Sequence, residues 1–413
     1  MPDPVATTGP DTSLRALPYP YRAMLAIASD LDETPDLGVY LESMRYLNTR
    51  GDTSMGPGVG LEVGNSLYFD MARGELSYWN TDDAGRAVFR TMISSGHIDV
   101  LHSFGDLAVT RAHAERALDE LIRHDCRLAV WVDHAVAPSN FGSDIMAGQG
   151  DVPGSPVYHA DLTCAYGIRF VWRGRVTSVL GQDVPPRLAG IFNPQHPAAS
   201  MKTLAKEAMK GGLGRRGHSK YLAHAGNETL RPIRLRDGQP VHEFLRTNPH
   251  WGGVSSADNA TGLGDVLTSP TLDRLVAREG FAIVYTHLGK VPVRDGPFPP
   301  STREALRRLA GYRDAGTILV ATTRRLLGYR HAVDNARVTS AVEAAGVRVD
   351  LAIGDPTSVP ADWQGVTVYV PANSAARLAI NGRDISNVRR NPPDHTGRES
   401  LSVPWVPLEW PPL

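Results

Sequence analysis

The sequence predicts an α/β fold whose parallel strands deliver polar residues to one face, and three observations carry that prediction. A short apolar run from Ala23 to Ile27 stops abruptly at two carboxylates, Asp30 and Asp32, as when a strand buried on both faces brings acids to its carboxyl end. Strand-like runs then alternate with stretches of helical periodicity through about residue 140, the pattern of βαβ units. Each of these strands is followed by polar residues, which points to a barrel or open sheet with its site along one edge. A chain of 413 residues, 42% hydrophobic, has enough material for one large and one small domain.

Residues 1 to 20, rich in Pro and Thr, read as an extended arm. After the acid pair, Leu37, Tyr40, Leu41, Met44 and Leu47 recur at helical intervals, with Asp36 and Gly51 near the ends. LEVGNSLYFDM is a second strand-like run, and Thr81 to Ser95 a helix closed by Gly96. Ile98 to Leu101 is a strand leading through a polar turn into a long amphipathic helix, and Arg127 to Val132 a strand running into DHAVAPSNFG. From about 140 to 280 the rhythm weakens and reads as an insertion. Lys202 to Lys220 is basic and glycine-rich, and within it GGLGRRGHSK is expected to be a mobile, solvated loop in preference to a phosphate cradle, because its glycines fit neither a P-loop nor a dinucleotide fingerprint. FAIVYTHLGK restores a buried strand, followed by a helix in STREALRRLAGYRDAG and a strand plus helix in TILVATTRRLLGY. Short alternating runs from 336 to 413 predict a small antiparallel β domain that packs on the barrel or helps form a homo-oligomer. The catalytic domain is thus placed at 21 to 335.

Charge is nearly balanced, with 43 basic and 44 acidic residues, so neither nucleic acid nor an anionic membrane is expected as main partner. Only two cysteines, Cys126 and Cys164, argue against a disulfide framework. No apolar stretch reads as a signal peptide or membrane span, and a cytoplasmic protein is expected. Fourteen histidines direct any metal site toward imidazole and carboxylate ligands.

Two carboxylates one residue apart repel unless a proton or cation intervenes, and a divalent metal on one with the other free as a base resolves the conflict. The spacing His102-x-x-x-Asp106 puts both side chains on one side of a helical turn. With Asp32 they form a three-ligand site with positions open to water and substrate, suited to one zinc ion, with cobalt, nickel, manganese or iron as alternatives. His287 ends a further strand, and DHAVAPSNFG supplies His134 and Asn140 as substrate contacts, with His134 also a candidate fourth ligand. Tyr158, Trp172 and Trp251 are candidates for stacking on sugar rings, against a role in core packing.

The order of SDLD, GHIDVLHSFGD and FAIVYTHLG resembles the polysaccharide deacetylase (NodB-homology, carbohydrate esterase family 4) family over roughly 20 to 140 and 280 to 330. The resemblance implies a NodB-like distorted (β/α) barrel, with Asp30 as catalytic base, Asp32 as metal ligand and His287 as catalytic acid. It places His102 and Asp106 in the second motif, with Asp106 where a second histidine is usual. The third motif of that family carries an arginine that orients the base, and DHAVAPSNFG occupies its place without one. The activity implied is metal-dependent removal of an N-acyl, typically N-acetyl, group from an aminosugar, glycoside or nucleotide-linked sugar. A metal-independent glycosidase with paired carboxylates and a non-catalytic carbohydrate-binding scaffold are the rival readings.

Overall fold

The computed structural model describes residues 12–135, 137–194, 196–249, 259–290, 296–344, 346–355 and 357–413. They fall into two compact units, one of Met24–Arg324 with Leu408–Leu413, the other of the chain up to Ala23 with Arg325–Pro407.

The first unit is α/β, built on a curled sheet of 11 strands. In chain order these are β1 Ala23–Ser29, β2 Gly64–Leu67, β3 Ile98–His102, β4 Val130–Val132, β5 Phe170–Trp172, β6 Val176–Thr177, β7 Leu230–Arg234, β8 Pro240–Phe244, β9 Arg246–Thr247, β10 Phe281–Thr286 and β11 Ile318–Val320. Hydrogen bonding orders them β7-β8-β5-β4-β3-β2-β1-β10-β9-β6, with β11 also pairing β1. Along that path every neighbouring pair is parallel except β7 with β8. Every residue of β1 is buried, as a central strand covered on both faces requires.

The path has two ends, and the same two stretches of chain appear at both. Residues 170–177 supply β5 beside β4 and then β6 beside β9, while 240–247 supply β8 beside β5 and then β9 beside β10. The weakly patterned stretch between 140 and 280 therefore contributes wall to the sheet.

The flanking helices follow from amphipathic spacing and capping. Helix α1, Leu37–Asn48, starts where the Asp36 carboxylate accepts from the Val39 amide at 2.9 Å, and it buries Tyr40, Met44 and Leu47. Helix α2, Asp83–Ser94, is capped by Asp82 on the Gly85 amide and buries Phe89, Met92 and Ile93. Such caps each contribute about 1 kcal/mol. Helix α3, Arg111–Arg123, buries Ala114, Leu118 and Leu121.

Where GGLGRRGHSK was expected to be a loop, its first half, up to Arg215, closes a 19-residue helix, α4, over Pro197–Arg215. Of its three glycines, Gly214 serves packing: a Cβ there would lie 2.2 Å from the Tyr221 carbonyl oxygen, so only glycine lets the chain fold back this closely.

The second unit holds two four-stranded sheets. One joins Ser13–Arg15, Thr367–Tyr369, Ser400–Ser402 and Arg389–Asn391 in antiparallel fashion. The other joins Ala336–Glu343, Gly346–Ile353, Ala376–Ile380 and Arg383–Asp384, with a parallel pair between its two middle strands. Residues 13–15 thus belong to a sheet rather than to a free arm. Arg15 fixes them from within, its Nε donating to Asp394 at 2.9 Å and its Nη1 to the Leu17 carbonyl at 2.6 Å. Among the described residues no helix is long and apolar enough to cross a membrane.

Candidate active site

The carboxyl ends of five parallel strands, with the first residue of a sixth, converge on the acid pair. Asp30 follows β1, Tyr68 follows β2, His102 ends β3, His134 follows β4 and His287 follows β10, while Arg246 opens β9.

Asp30 is 2% exposed and bound on both oxygens by one guanidinium, Arg246 Nη1 to Oδ2 at 3.2 Å and Nη2 to Oδ1 at 3.3 Å. His102 Nε2 lies 3.3 Å from Oδ2. Burial opposes ionisation, but Arg246 and then His102 outweigh it and hold the carboxyl far below the usual range. Arg246 is itself 1% exposed, its guanidinium 4.1 Å from the Trp172 ring centroid and 4.5 Å from that of Tyr285. A buried arginine seated on two aromatic faces is fixed in direction as well as charge. Trp172 is therefore packing for Arg246 rather than a sugar platform. Tyr158 donates to Asp237 at 3.1 Å, and Trp251 lies outside the described residues.

Asp32 accepts from Tyr68 Oη at 2.9 Å and faces two imidazoles, with His287 Nε2 at 3.0 Å and His134 Nε2 at 3.8 Å from Oδ2. Burial raises its pKa, but the His287 contact outweighs it and the net direction is down. Burial and the two nearby carboxylates push the Tyr68 phenol well above its ordinary value, so it stays a donor. His287 Nε2 also meets Tyr285 Oη at 3.1 Å. The Tyr68 ring stacks on His102 at 4.3 Å and meets His134 edge-on at 5.4 Å.

Asp106 does not join this cluster. It is half exposed and bonds His134 Nδ1 at 2.7 Å. The helical-turn geometry expected of His102 and Asp106 is absent because the chain leaves β3 through the left-handed region, with φ of 44° at Ser103, 59° at Phe104 and 105° at Gly105. That turn carries Asp106 outward, to a position behind His134. Burial lowers the His134 pKa, but the bond to Asp106 outweighs it, and the net direction is up; the same bond pulls Asp106 down. Asn140, fully buried, holds the His134 backbone at both ends, accepting from its amide and donating to its carbonyl, each at 2.9 Å. Asn140 is thus a brace for His134, with both side-chain atoms engaged by backbone.

The DHAVAPSNFG loop is anchored from beneath by two buried polar groups. Asp133 accepts from Trp131 Nε1 at 2.7 Å and from the Phe141 and Gly142 amides at 2.9 and 2.8 Å. His159 bonds Thr163 Oγ1 through Nδ1 at 2.8 Å and, through a protonated Nε2, the Ser139 carbonyl at 2.9 Å. Burial lowers its pKa from 6.5 to about 4. An unfolded imidazole takes up its proton first as pH falls, so this contribution is complete above about 6.5 and is lost on descent to about 4. Stability of this unit is expected to fall over that window by on the order of 3 kcal/mol from this residue. Denaturant midpoints measured across the window should show the loss, with His159→Gln flattening the slope; an equal slope in the variant would contradict the assignment.

Asp30, Asp32 and His287 each offer a ligand atom within 4.8 Å of the others, a buried trio able to hold a metal ion. The charge balance fits a cation. Arg246 compensates Asp30 and His134 compensates Asp106, which leaves Asp32 without a permanent counter-charge in a site where its side chain is 12% exposed. The donors are imidazole nitrogens and carboxylate oxygens, the set that suits borderline divalent metals. Buried His102 Nδ1 has no hydrogen-bond partner among the described residues.

Two participants escaped the sequence reading. Tyr68 carried no signal beyond following a strand. Arg246 carried little more, a cation following the apolar pair Phe244 and Leu245 in EFLRT. Comparison of the chain with protein-family models, characterised proteins and solved structures finds no match.

Proposed function

We propose that this chain is a metal-dependent hydrolase of the polysaccharide deacetylase type, removing an N-acyl, typically N-acetyl, group from an aminosugar, glycoside or nucleotide-linked sugar. The observation that carries the reading is the Asp30–Arg246 pair: a buried carboxylate kept ionised beside a second acid and three histidines. An arginine that orients the base is the element the third motif lacks, and β9 supplies it from the opposite end of the sequence stretch. The return of residues 170–177 and 240–247 to both ends of the sheet supports a distorted barrel.

Asp32, His102 and His134 are the residues that would hold one divalent ion, zinc first, with cobalt, nickel, manganese or iron as alternatives. His134 takes the place given to Asp106, and Asp106 becomes the carboxylate that fixes the ring through Nδ1. A cation bound there supplies polarisation of the acyl carbonyl and acidification of water. Asp30, aimed by Arg246, accepts the proton of the attacking water, and His287 donates one to the departing nitrogen. The tight trio of Asp30, Asp32 and His287 favours a second reading in which His287 is itself a ligand. Metal content of His287→Ala separates the two: retained metal with lost turnover makes it the acid, lost metal makes it a ligand.

Elemental analysis of protein purified without added ions, beside acetate release from a panel of N-acetylated sugars, tests the function. Bound metal with chelator-sensitive release is expected. Chelator-resistant glycoside cleavage would replace this reading by the paired-carboxylate glycosidase, and ligand binding without turnover, unchanged in Asp30→Asn, by the scaffold. Asp106→Ala should weaken metal affinity about 10- to 100-fold, as loss of an outer-shell carboxylate does, whereas a direct ligand would cost more. Full affinity in that variant would remove Asp106 from the site.

A further inference from the structure

A second cleft in the α/β unit, about 300 Å³ in volume, opens between β6, α4 and the segment that follows α4. Its wall includes Arg175, Lys206, Lys210 and Lys220 against one carboxylate, Glu207. Two of these cations are matched. Lys210 Nζ bonds Glu207 Oε1 at 2.7 Å, and Arg175 bonds both oxygens of Asp144 at 2.8 and 3.1 Å. Lys206 and Lys220 touch no carboxylate among the described residues, so the cleft carries surplus positive charge.

His224 supplies the second observation. Its side chain is 5% exposed and lines the cleft, and Nδ1 has no hydrogen-bond partner among the described residues, lying 3.9 Å from Glu207 Oε2. A buried polar atom without a partner costs stability unless a ligand or water meets it. Burial lowers the His224 pKa to about 3, so a neutral ring stands beside the Lys206 and Lys220 ammonium groups, the latter 5.7 Å from the Tyr221 ring centroid.

From this geometry we infer that the cleft binds a phosphoryl group. Lysines on separate elements act as mobile point charges, which suits a tetrahedral dianion better than the planar, bidentate geometry of a carboxylate. The volume lies at the small end of small-molecule pockets, room for a phosphate ester and not for a length of polymer. Asn248, which also lines it, follows the two-residue strand β9 that Arg246, the counter-ion of Asp30, opens. One short strand therefore links the cleft to the acid cluster, and the substrate of that cluster is a phosphate-bearing sugar, nucleotide-linked or simple; this last step alone rests on the hydrolase reading.

Calorimetric titration of the full chain with inorganic phosphate and with pyrophosphate, at fixed low ionic strength and with acetate as control anion, tests the inference. The wild-type protein and Asp32→Ala should bind phosphate or pyrophosphate alike, and Lys206→Ala/Lys220→Ala should bind about tenfold or more weakly with an unchanged melting temperature. A preference for pyrophosphate identifies a nucleotide-linked sugar, and equal binding a simple phosphate ester. No binding at millimolar concentration, binding unaffected by the double substitution, or acetate bound as well as phosphate would each overturn it. Metal content and acetate release measured on the same preparations keep failure of this cleft distinct from failure of the hydrolase assignment.

Discussion

Asp30→Asn is expected to lower turnover about 10²- to 10⁴-fold, the range general-base catalysis contributes, while the protein keeps its fold and metal. The substitution preserves shape but replaces an ionised acceptor with an amide that presents N–H toward Arg246 or His102, which lie 3.2 and 3.3 Å from Oδ2. Asp32→Ala should behave differently, losing metal and activity together, because Asp32 has no arginine and faces the imidazoles of His134 and His287. The measurement is turnover beside metal content for both variants. Full turnover by metal-loaded Asp30→Asn would end the base assignment.

Arg246→Met is expected to damage both stability and rate. Removing one partner of a buried ion pair strands the other charge, at a cost of roughly 3–5 kcal/mol, and here the stranded group is Asp30 at 2% exposure. The Asp30 carboxyl would then respond to its burial and shift up, so a working base at neutral pH becomes a protonated acid. Arg246→Lys should restore charge without the fork that binds both carboxylate oxygens, recovering stability more than rate. Chemical denaturation and steady-state kinetics on the two variants give the comparison. A methionine variant as stable and active as the parent would show that Arg246 neither supports the fold nor the chemistry.

The strand and acids of residues 23 to 32 were legible because apolar continuity and an abrupt charge are both local signals. His102 and His287 were legible for the same reason, each at the end of an apolar run. The placement of Asp106 outside the acid cluster, on His134 Nδ1, was not, because it depends on three consecutive positive-φ residues, two of them Ser103 and Phe104, which carry no glycine-like signature. The helix over Pro197–Arg215 was hidden by Gly211, Gly212 and Gly214, of which Gly214 is there for contact with the Tyr221 backbone and not for freedom of the chain. Arg246 lay in the stretch where helical and strand periods both fade, because β8 and β9 are five and two residues long and meet at Leu245.

That meeting point has a consequence for how the protein opens. Because residues 170–177 and 240–247 each pair at both ends of the sheet, they cannot detach as a peripheral subdomain while the acid-bearing strand stays protected. The amides of Arg246 and Asn248, held on the Arg175 and Thr177 carbonyls at 3.0 and 2.8 Å, should exchange with solvent in the same cooperative step as those of Ala23–Ser29. Trimming the chain between 140 and 280 toward a shorter scaffold would therefore remove a stave of the sheet and the counter-ion of Asp30 in one cut.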